Sequence, residues 1–245
     1  MNTPGSTVDQ IRKNVSDAYT RAVRQGTGCC GPKGVAARLA GYGAEAADVP
    51  EALADSFGCG NPVAFSDVGA GDTVLDLGSG AGLDLLLAAE KVGPSGRVIG
   101  VDMTDAMIER ARGNAARAGA VHVDVRKGHI EDLPVEPGSV DWVISNCVIN
   151  LSPDKPAVFR EAHRVLKPGG RLVVSDIVTE GELPEAVRND AALYCACVGG
   201  ATSKERYLEA IRAAGFARFE LLKEVPYPGF AEFGARSITY RAWKA

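Results

Sequence analysis

No stretch of this sequence approaches the roughly 20 uninterrupted apolar residues that a membrane-spanning helix requires, and its start, MNTPGSTVDQIRKN, has no apolar signal-peptide core. The expectation is a cytoplasmic protein with no membrane partner. A basic excess is missing too: Lys and Arg number 27 against 31 Asp and Glu, a formal net charge of -4. Such a chain is poorly suited to a phosphate backbone, which argues against a nucleic-acid partner. Cysteine is too scarce for a disulfide scaffold, six in 245 residues, and in a reducing compartment thiols are more often buried, metal-binding, catalytic or redox-active. Histidine is scarcer still. His122, His129 and His163 are the three, none in a triad or metal-ligand spacing, and His163 falls in an amphipathic stretch where a packing or surface role is expected. No internal repeat or low-complexity tract is visible.

What is present is a composition with 46% hydrophobic and 24% charged positions, able to bury a sizeable core in one main domain with an appendage. Val8, Ile11, Val15, Ala18, Tyr19, Ala22 and Val23 recur at helical spacing, with Thr7 and Gln10 as a capping box and Gly26 as a stop. Between Gly26 and Gly71 the composition shifts to Gly, Pro and Ala around two cysteine clusters, TGCCGP and SFGCGNP. Residues 1–70 therefore read as an N-terminal cap with a helix and Cys-bearing loops, and 71–245 as the main domain.

From Thr73 strands and helices alternate. TVLDLG, RVIGVD, VHVDVRKG, VDWVISN and RLVVSDIV read as buried strands, with helices at Leu83 to Val92, Thr104 to Ala118 and Asp154 to Leu166. Strands separated by single helices imply βαβ crossovers, hence an α/β, doubly wound Rossmann-like sheet covered on both faces. Further helices are expected at Pro184 to Cys197 and at Thr202 to Gly215, where Thr202 and Glu205 form a second capping box. ARFELLKEV and SITYRAWK, with the turn YPGF between them, close the chain as a C-terminal antiparallel hairpin.

VLDLGSGAG joins a strand to a helix, and its glycines at 78, 80 and 82 let the backbone turn tightly and approach a ligand at a helix N-terminus. A dinucleotide fingerprint would need its third glycine at 83, which is Leu83. The motif instead reads D-x-G-x-G-x-G from Asp76, and Asp102 ends the next strand, where a carboxylate can accept hydrogen bonds from ribose hydroxyls. GHIEDLP at 128–134 follows the third strand at a place suited to an adenine ring.

Together with EAHRVLKPGGRL at 161–172, these features resemble the class I S-adenosylmethionine methyltransferases. The resemblance implies S-adenosylmethionine as cofactor and S-adenosylhomocysteine as product. It places Asp76, Gly78, Ser79 and Gly80 at the methionine end, Asp102 and Met103 at the ribose and adenine, and Ile130 and Glu131 at the adenine edge, with Phe57 and Asn146 as further cofactor contacts. For glycines alone, strand and helix packing would be the plain alternative.

Each of Cys29, Cys30, Cys59, Cys147, Cys195 and Cys197 taken singly reads as a small core residue. Cys147, however, follows the strand VDWVIS, at the carboxyl end of the sheet where open α/β proteins bind ligands, and Cys59 and Cys197 are flanked by residues that favour loops. Structural zinc fits poorly, because Cys59 and Cys147 are isolated and C-x-C has the wrong pitch for its usual paired ligands. A soft trivalent ion that takes three thiolates fits better. TGCCGP, FGCGNP, SNCVINLSPDK and CVGGA in this order resemble the arsenite S-adenosylmethionine methyltransferases over almost the whole chain. That resemblance implies As(III) as substrate, held by Cys59, Cys147 and Cys197, with an arsenic-binding insertion around 183–201. It implies four catalytic cysteines, Cys30, Cys59, Cys147 and Cys197, with a Cys30–Cys59 disulfide formed after methylation and reduced by thioredoxin or glutathione. Cys29 competes with Cys30, and Cys195 has no assigned role. Members often carry a further C-terminal domain, which this sequence is expected to lack. Two rivals remain: a methyltransferase of a small organic molecule, which would need a base that the sequence does not reveal, and a non-enzymatic thiol-based metalloid binder, which would not need the glycine loop.

Overall fold

The computed structural model describes residues 7–25, 42, 49–54, 56, 58, 60–227 and 230–245. Helix α1 runs from Val8 to Gln25, and the Gln10 amide donates to Thr7 Oγ1 at 3.3 Å, one half of the expected capping box. Gly26, residues 26–41 and 43–48, where the Cys-bearing cap loops are expected, and positions 228 and 229 of YPGF lie outside the described residues. A short helix α2 (Pro50–Ala54) precedes the sheet.

The sheet has seven strands: β1 (Thr73–Leu77), β2 (Arg97–Asp102), β3 (Val123–Lys127), β4 (Val140–Asn146), β5 (Leu166–Val178), β6 (Arg218–Pro226) and β7 (Arg236–Trp243). Their order is β3-β2-β1-β4-β5-β7-β6, parallel from β3 to β5 and antiparallel across β5, β7 and β6. The central parallel strands β1, β2 and β4 are buried on both faces, so VLDL, VIGV and WVIS are continuously buried rather than alternating. Helices α3 (Leu83–Val92) and α4 (Asp105–Arg117) follow β1 and β2, and α5 (Lys155–Val165) precedes β5, capped by Asp154, which accepts from the Ala157 amide. One core layer gathers Leu77, Val101, Val143, Phe159 and Tyr240, and the other gathers Val74, Leu85, Ala88, Ile144 and Val173. His163 packs its ring edge-on against Phe216 at 5.2 Å, the expected packing role.

Two local expectations are corrected. The segment 184–197 is not one helix but two turns, α6 (Glu185–Arg188) and α7 (Ala191–Cys195). Asp190 breaks it: its carboxylate accepts from the amides of Ala192 and Leu193 at 2.8 and 2.9 Å and starts a new helix instead of continuing the old one. Helix α8 (Lys204–Ala213) is capped by Ser203 rather than Thr202, the Ser203 hydroxyl accepting from the Arg206 amide at 3.4 Å.

Candidate active site

The carboxyl ends of β1, β2 and β4 open into a cavity lined by Asp76, Gly78, Asp84, Asp102, Asn146 and Cys147 among others. The glycine loop makes this possible. Gly78 has φ +62°, and a Cβ there would overlap the Val148 side chain; Gly82 has φ +90° and starts α3. Within the loop, Ser79 Oγ is buried without a hydrogen-bond partner. Asp76 is 3% exposed, and its carboxylate makes no hydrogen bond to a described residue. Gly80 N–H and Thr104 N–H donate to the two oxygens of Asp102 at 3.0 and 2.8 Å, fixing the carboxylate at the tip of β2.

Three carboxylates share this cavity, and burial raises all of them. Asp76 is pushed up by desolvation and then by Asp84 and Asp102; Asp84 goes to about 6, although Tyr42 and Asn146 hydrogen bonds pull it down. Asp102 rises through desolvation against the amides that hold it. Among the described residues no Lys or Arg forms a salt bridge with any of the three. A ligand bearing positive charge would relieve this repulsion. Orphaned Ser79 Oγ, unpaired Asp76 and the room that Gly78 leaves all fit a polar, cationic group such as S-adenosylmethionine.

The other expected cofactor positions also reach the cavity. Gly80, Met103, Ile130 and Glu131 line it, and Glu131 is held by the Ser152 hydroxyl at 2.6 Å and by Arg12 of α1 at 3.3 Å. Asn146 lines it while bonded to the protein: Nδ2 donates to Tyr42 Oη (2.7 Å), Gly60 O (2.7 Å) and Asp84 Oδ2 (3.1 Å). Phe57, Cys29, Cys30 and Cys59 lie outside the described residues.

Cys147 and Cys197, 50 positions apart, meet beside the cavity, the Cys197 thiol donating to the Cys147 carbonyl at 2.7 Å. Both are 4% exposed and share an apolar cluster with Val15 and Leu151. They are the two non-glycine residues with positive φ among the described residues, +61° and +65°. Cys147 is disulfide-bonded. Cys195 is buried at the end of α7, and its carbonyl accepts from Tyr19 Oη at 3.2 Å. Among the described residues no group of three His, Cys, Asp or Glu could hold a metal ion, and no helix is long and apolar enough to cross a membrane.

Sequence reasoning missed Asp84, Tyr42, Arg12 and Lys155. An acidic residue inside the apolar run LDLLLAAE was the one available signal for Asp84. Lys155 lies 3.5 and 3.4 Å from the carbonyls of Asn150 and Ser152, and burial of its ammonium lowers it to about 8 against the pull of Asp176 and Cys197.

Fold and loop together define a methyltransferase domain, and the family model of that description matches residues 69–215. Similarity extends to arsenite methyltransferases from Halobacterium salinarum (41% identical, 87% of this chain and 59% of the relative) and Aquipseudomonas alcaligenes (42%, covering 80% and 60%). The chain thus spans 59 to 60% of the length of these curated relatives. The crystal structure of an arsenic(III) S-adenosylmethionine methyltransferase from Chlamydomonas reinhardtii superposes with a TM-score of 0.69 at 37% identity, covering 86% of this chain and 74% of that one. This chain belongs to the arsenite S-adenosylmethionine methyltransferase family.

Proposed function

We propose that this chain transfers the methyl group of S-adenosylmethionine to trivalent arsenic held by cysteine thiolates. The observation that carries the reading is the meeting of Cys147 and Cys197, in left-handed backbone conformations, at the edge of a carboxylate-lined cavity. When bound, the cofactor supplies an electrophilic methyl on a sulfonium. Asp76, Gly78, Ser79 and Gly80 hold its methionine end, Asp102 and Met103 its ribose and adenine, and Ile130 and Glu131 the adenine edge. Phe57 belongs to the same set.

Cys59, Cys147 and Cys197 form the arsenic ligand set once a thiol reductant has opened the Cys147 disulfide, and thiolates leave As(III) a lone pair that attacks without losing a proton. No general base is required. The protein acts chiefly by proximity, an effect that can be worth on the order of 7 to 11 kcal/mol. Arsenic oxidised on methylation returns to the trivalent state as Cys30 and Cys59 give up two electrons and join in a disulfide, which thioredoxin or glutathione then reduces. The segment 183–201, which carries Cys197, is the arsenic-binding insertion, and residues 1–70 form the cap.

The test is consumption of S-adenosylmethionine by the purified protein with thiol reductant in excess. Turnover only when arsenite is added supports the reading. Turnover of an organic acceptor without arsenite, or arsenite binding without turnover, would overturn it in favour of one of the rivals.

A further inference from the structure

The motif FGCGNP puts a glycine on either side of Cys59, and the structure shows why both are needed. A Cβ on Gly58 would lie within 3.0 Å of the Asn146 carboxamide, and one on Gly60 would overlap the Ser175 side chain. The two residues flanking Cys59 thus press on the end of β4 and on Ser175 of β5, where Asn146 is followed directly by Cys147, whose N–H donates to Ser175 O at 2.8 Å. Only glycine permits so close an approach.

The carboxamide of Asn146 seals this contact on both sides. Gly60 N–H donates to its Oδ1 at 3.2 Å, and its Nδ2 donates to Gly60 O at 2.7 Å. A carboxamide has two N–H donors, and here they are divided among three protein acceptors, Gly60 O, Tyr42 Oη and Asp84 Oδ2. Little donor capacity is left for a ligand, contrary to the cofactor contact expected from sequence. We propose that Asn146 is a positioning residue for the arsenic site: it docks Gly58 and Gly60, the sequence neighbours of Cys59, against the residue that precedes Cys147 and ties them, through Asp84, to the helix that follows the glycine loop. The inference rests on the proposed function and goes past it, because it moves Asn146 from cofactor binding to the assembly of the cysteine set.

The test separates the two ligands. As(III) affinity is measured by equilibrium dialysis under thiol reductant, and S-adenosylmethionine affinity by calorimetry, for the wild type, Asn146→Ala and Asn146→Asp. Each lost hydrogen bond is a factor of roughly five, so Asn146→Ala should weaken As(III) binding about tenfold or more while cofactor affinity changes by less than about threefold. Asn146→Asp, which sets a carboxylate oxygen against Gly60 O and Asp84 where a donor was, should weaken As(III) binding at least as much as Asn146→Ala. Loss of cofactor affinity with As(III) binding intact would overturn the inference.

A second pair of variants covers the case in which Asn146→Ala does not fold. Gly60→Ala should weaken As(III) binding by inserting a methyl against Ser175, and Ser175→Gly in the same chain should restore it. Failure of that rescue in folded protein would sink the docking role. A wild type that binds no As(III) would overturn the functional reading and this inference with it, whereas normal wild-type binding with indifferent variants would overturn this inference alone.

Discussion

The thiol of Cys197 donates to the backbone carbonyl of Cys147 at 2.7 Å, and both residues have a left-handed backbone. An L residue with a Cβ pays of order 1 to 3 kcal/mol for such a conformation. Two non-glycine residues carrying that strain side by side, each reached from a different element, indicate positions where the side chain matters more than backbone comfort. Packing enforces the geometry: Gly200 sits so close to the Asn150 carbonyl that a Cβ would overlap it, and Tyr194 Oη donates to Leu151 O at 3.2 Å. The segment after α7 is thereby clamped onto the turn that follows Cys147.

The strain gives a stability prediction opposite to the usual order of Ala over Gly. Cys197→Gly should be more stable than Cys197→Ala by about 1 kcal/mol, because glycine adopts positive φ without a Cβ clash. Both variants should lose As(III) binding. Urea denaturation and equilibrium dialysis on the same samples check the pair. An alanine variant as stable as the glycine one would show that the backbone relaxes once the thiol is gone.

Asp102→Ala should weaken S-adenosylmethionine binding well beyond tenfold, since hydrogen bonds to a charged acceptor are worth about 1.5 to 3 kcal/mol each. The variant also leaves the amides of Gly80 and Thr104 without their carboxylate, so the glycine loop loses its brace. Calorimetry on folded protein decides it. Unchanged affinity would mean that the ribose is held elsewhere.

The parallel sheet was legible because its central strands are rich in Val, Ile and Leu and separated by helical stretches, and the glycine loop because three glycines at alternate positions have few other uses. Local chemistry was less legible. Asp190 breaks a stretch that reads as one helix, and its effect depends on whether its carboxylate turns to the backbone. Thr202 and Ser203 are adjacent and chemically alike, so composition does not choose between them as a cap. Asp84 was hidden for another reason: an acid in the first turn of a helix is ordinary, and its partners, Tyr42 and Asn146, come from 42 and 62 positions away. The left-handed conformations of Cys147 and Cys197 are likewise imposed by tertiary packing, and no local signal announces them.

The buried carboxylates predict how cofactor affinity depends on pH. Burial raises Asp84 to about 6, so below that value the empty cavity holds a proton that a bound cation must displace. S-adenosylmethionine affinity should therefore fall as pH drops below about 6, by up to about tenfold per unit, and level off above it. S-adenosylhomocysteine, which lacks the sulfonium charge, should show a shallower slope. Asp84→Asn should flatten the profile. Calorimetry across this range tests it, and parallel profiles for the two ligands would remove the charge argument.

Asp176 gives the complementary prediction, on stability. It is fully buried on β5 and accepts from Asn150 Nδ2 (2.8 Å), Tyr207 Oη (2.9 Å) and the Ile177 amide (2.9 Å). Burial nevertheless raises it from 3.8 to about 6. Between those values the folded protein keeps a proton that the unfolded chain has released, so this residue's contribution is fully present below the lower value. It is lost as pH rises through the upper one. The difference of about two units sets a ceiling of about 3 kcal/mol. Asp176→Asn does not titrate, so its stability should gain on that of the wild type by up to this amount as pH rises from about 4 to about 7. Urea denaturation followed by circular dichroism at several pH values measures the gap. A constant gap would show that Asp176 stays ionised in the folded state, held so by Lys155, and Lys155→Met should then make the gap widen with pH.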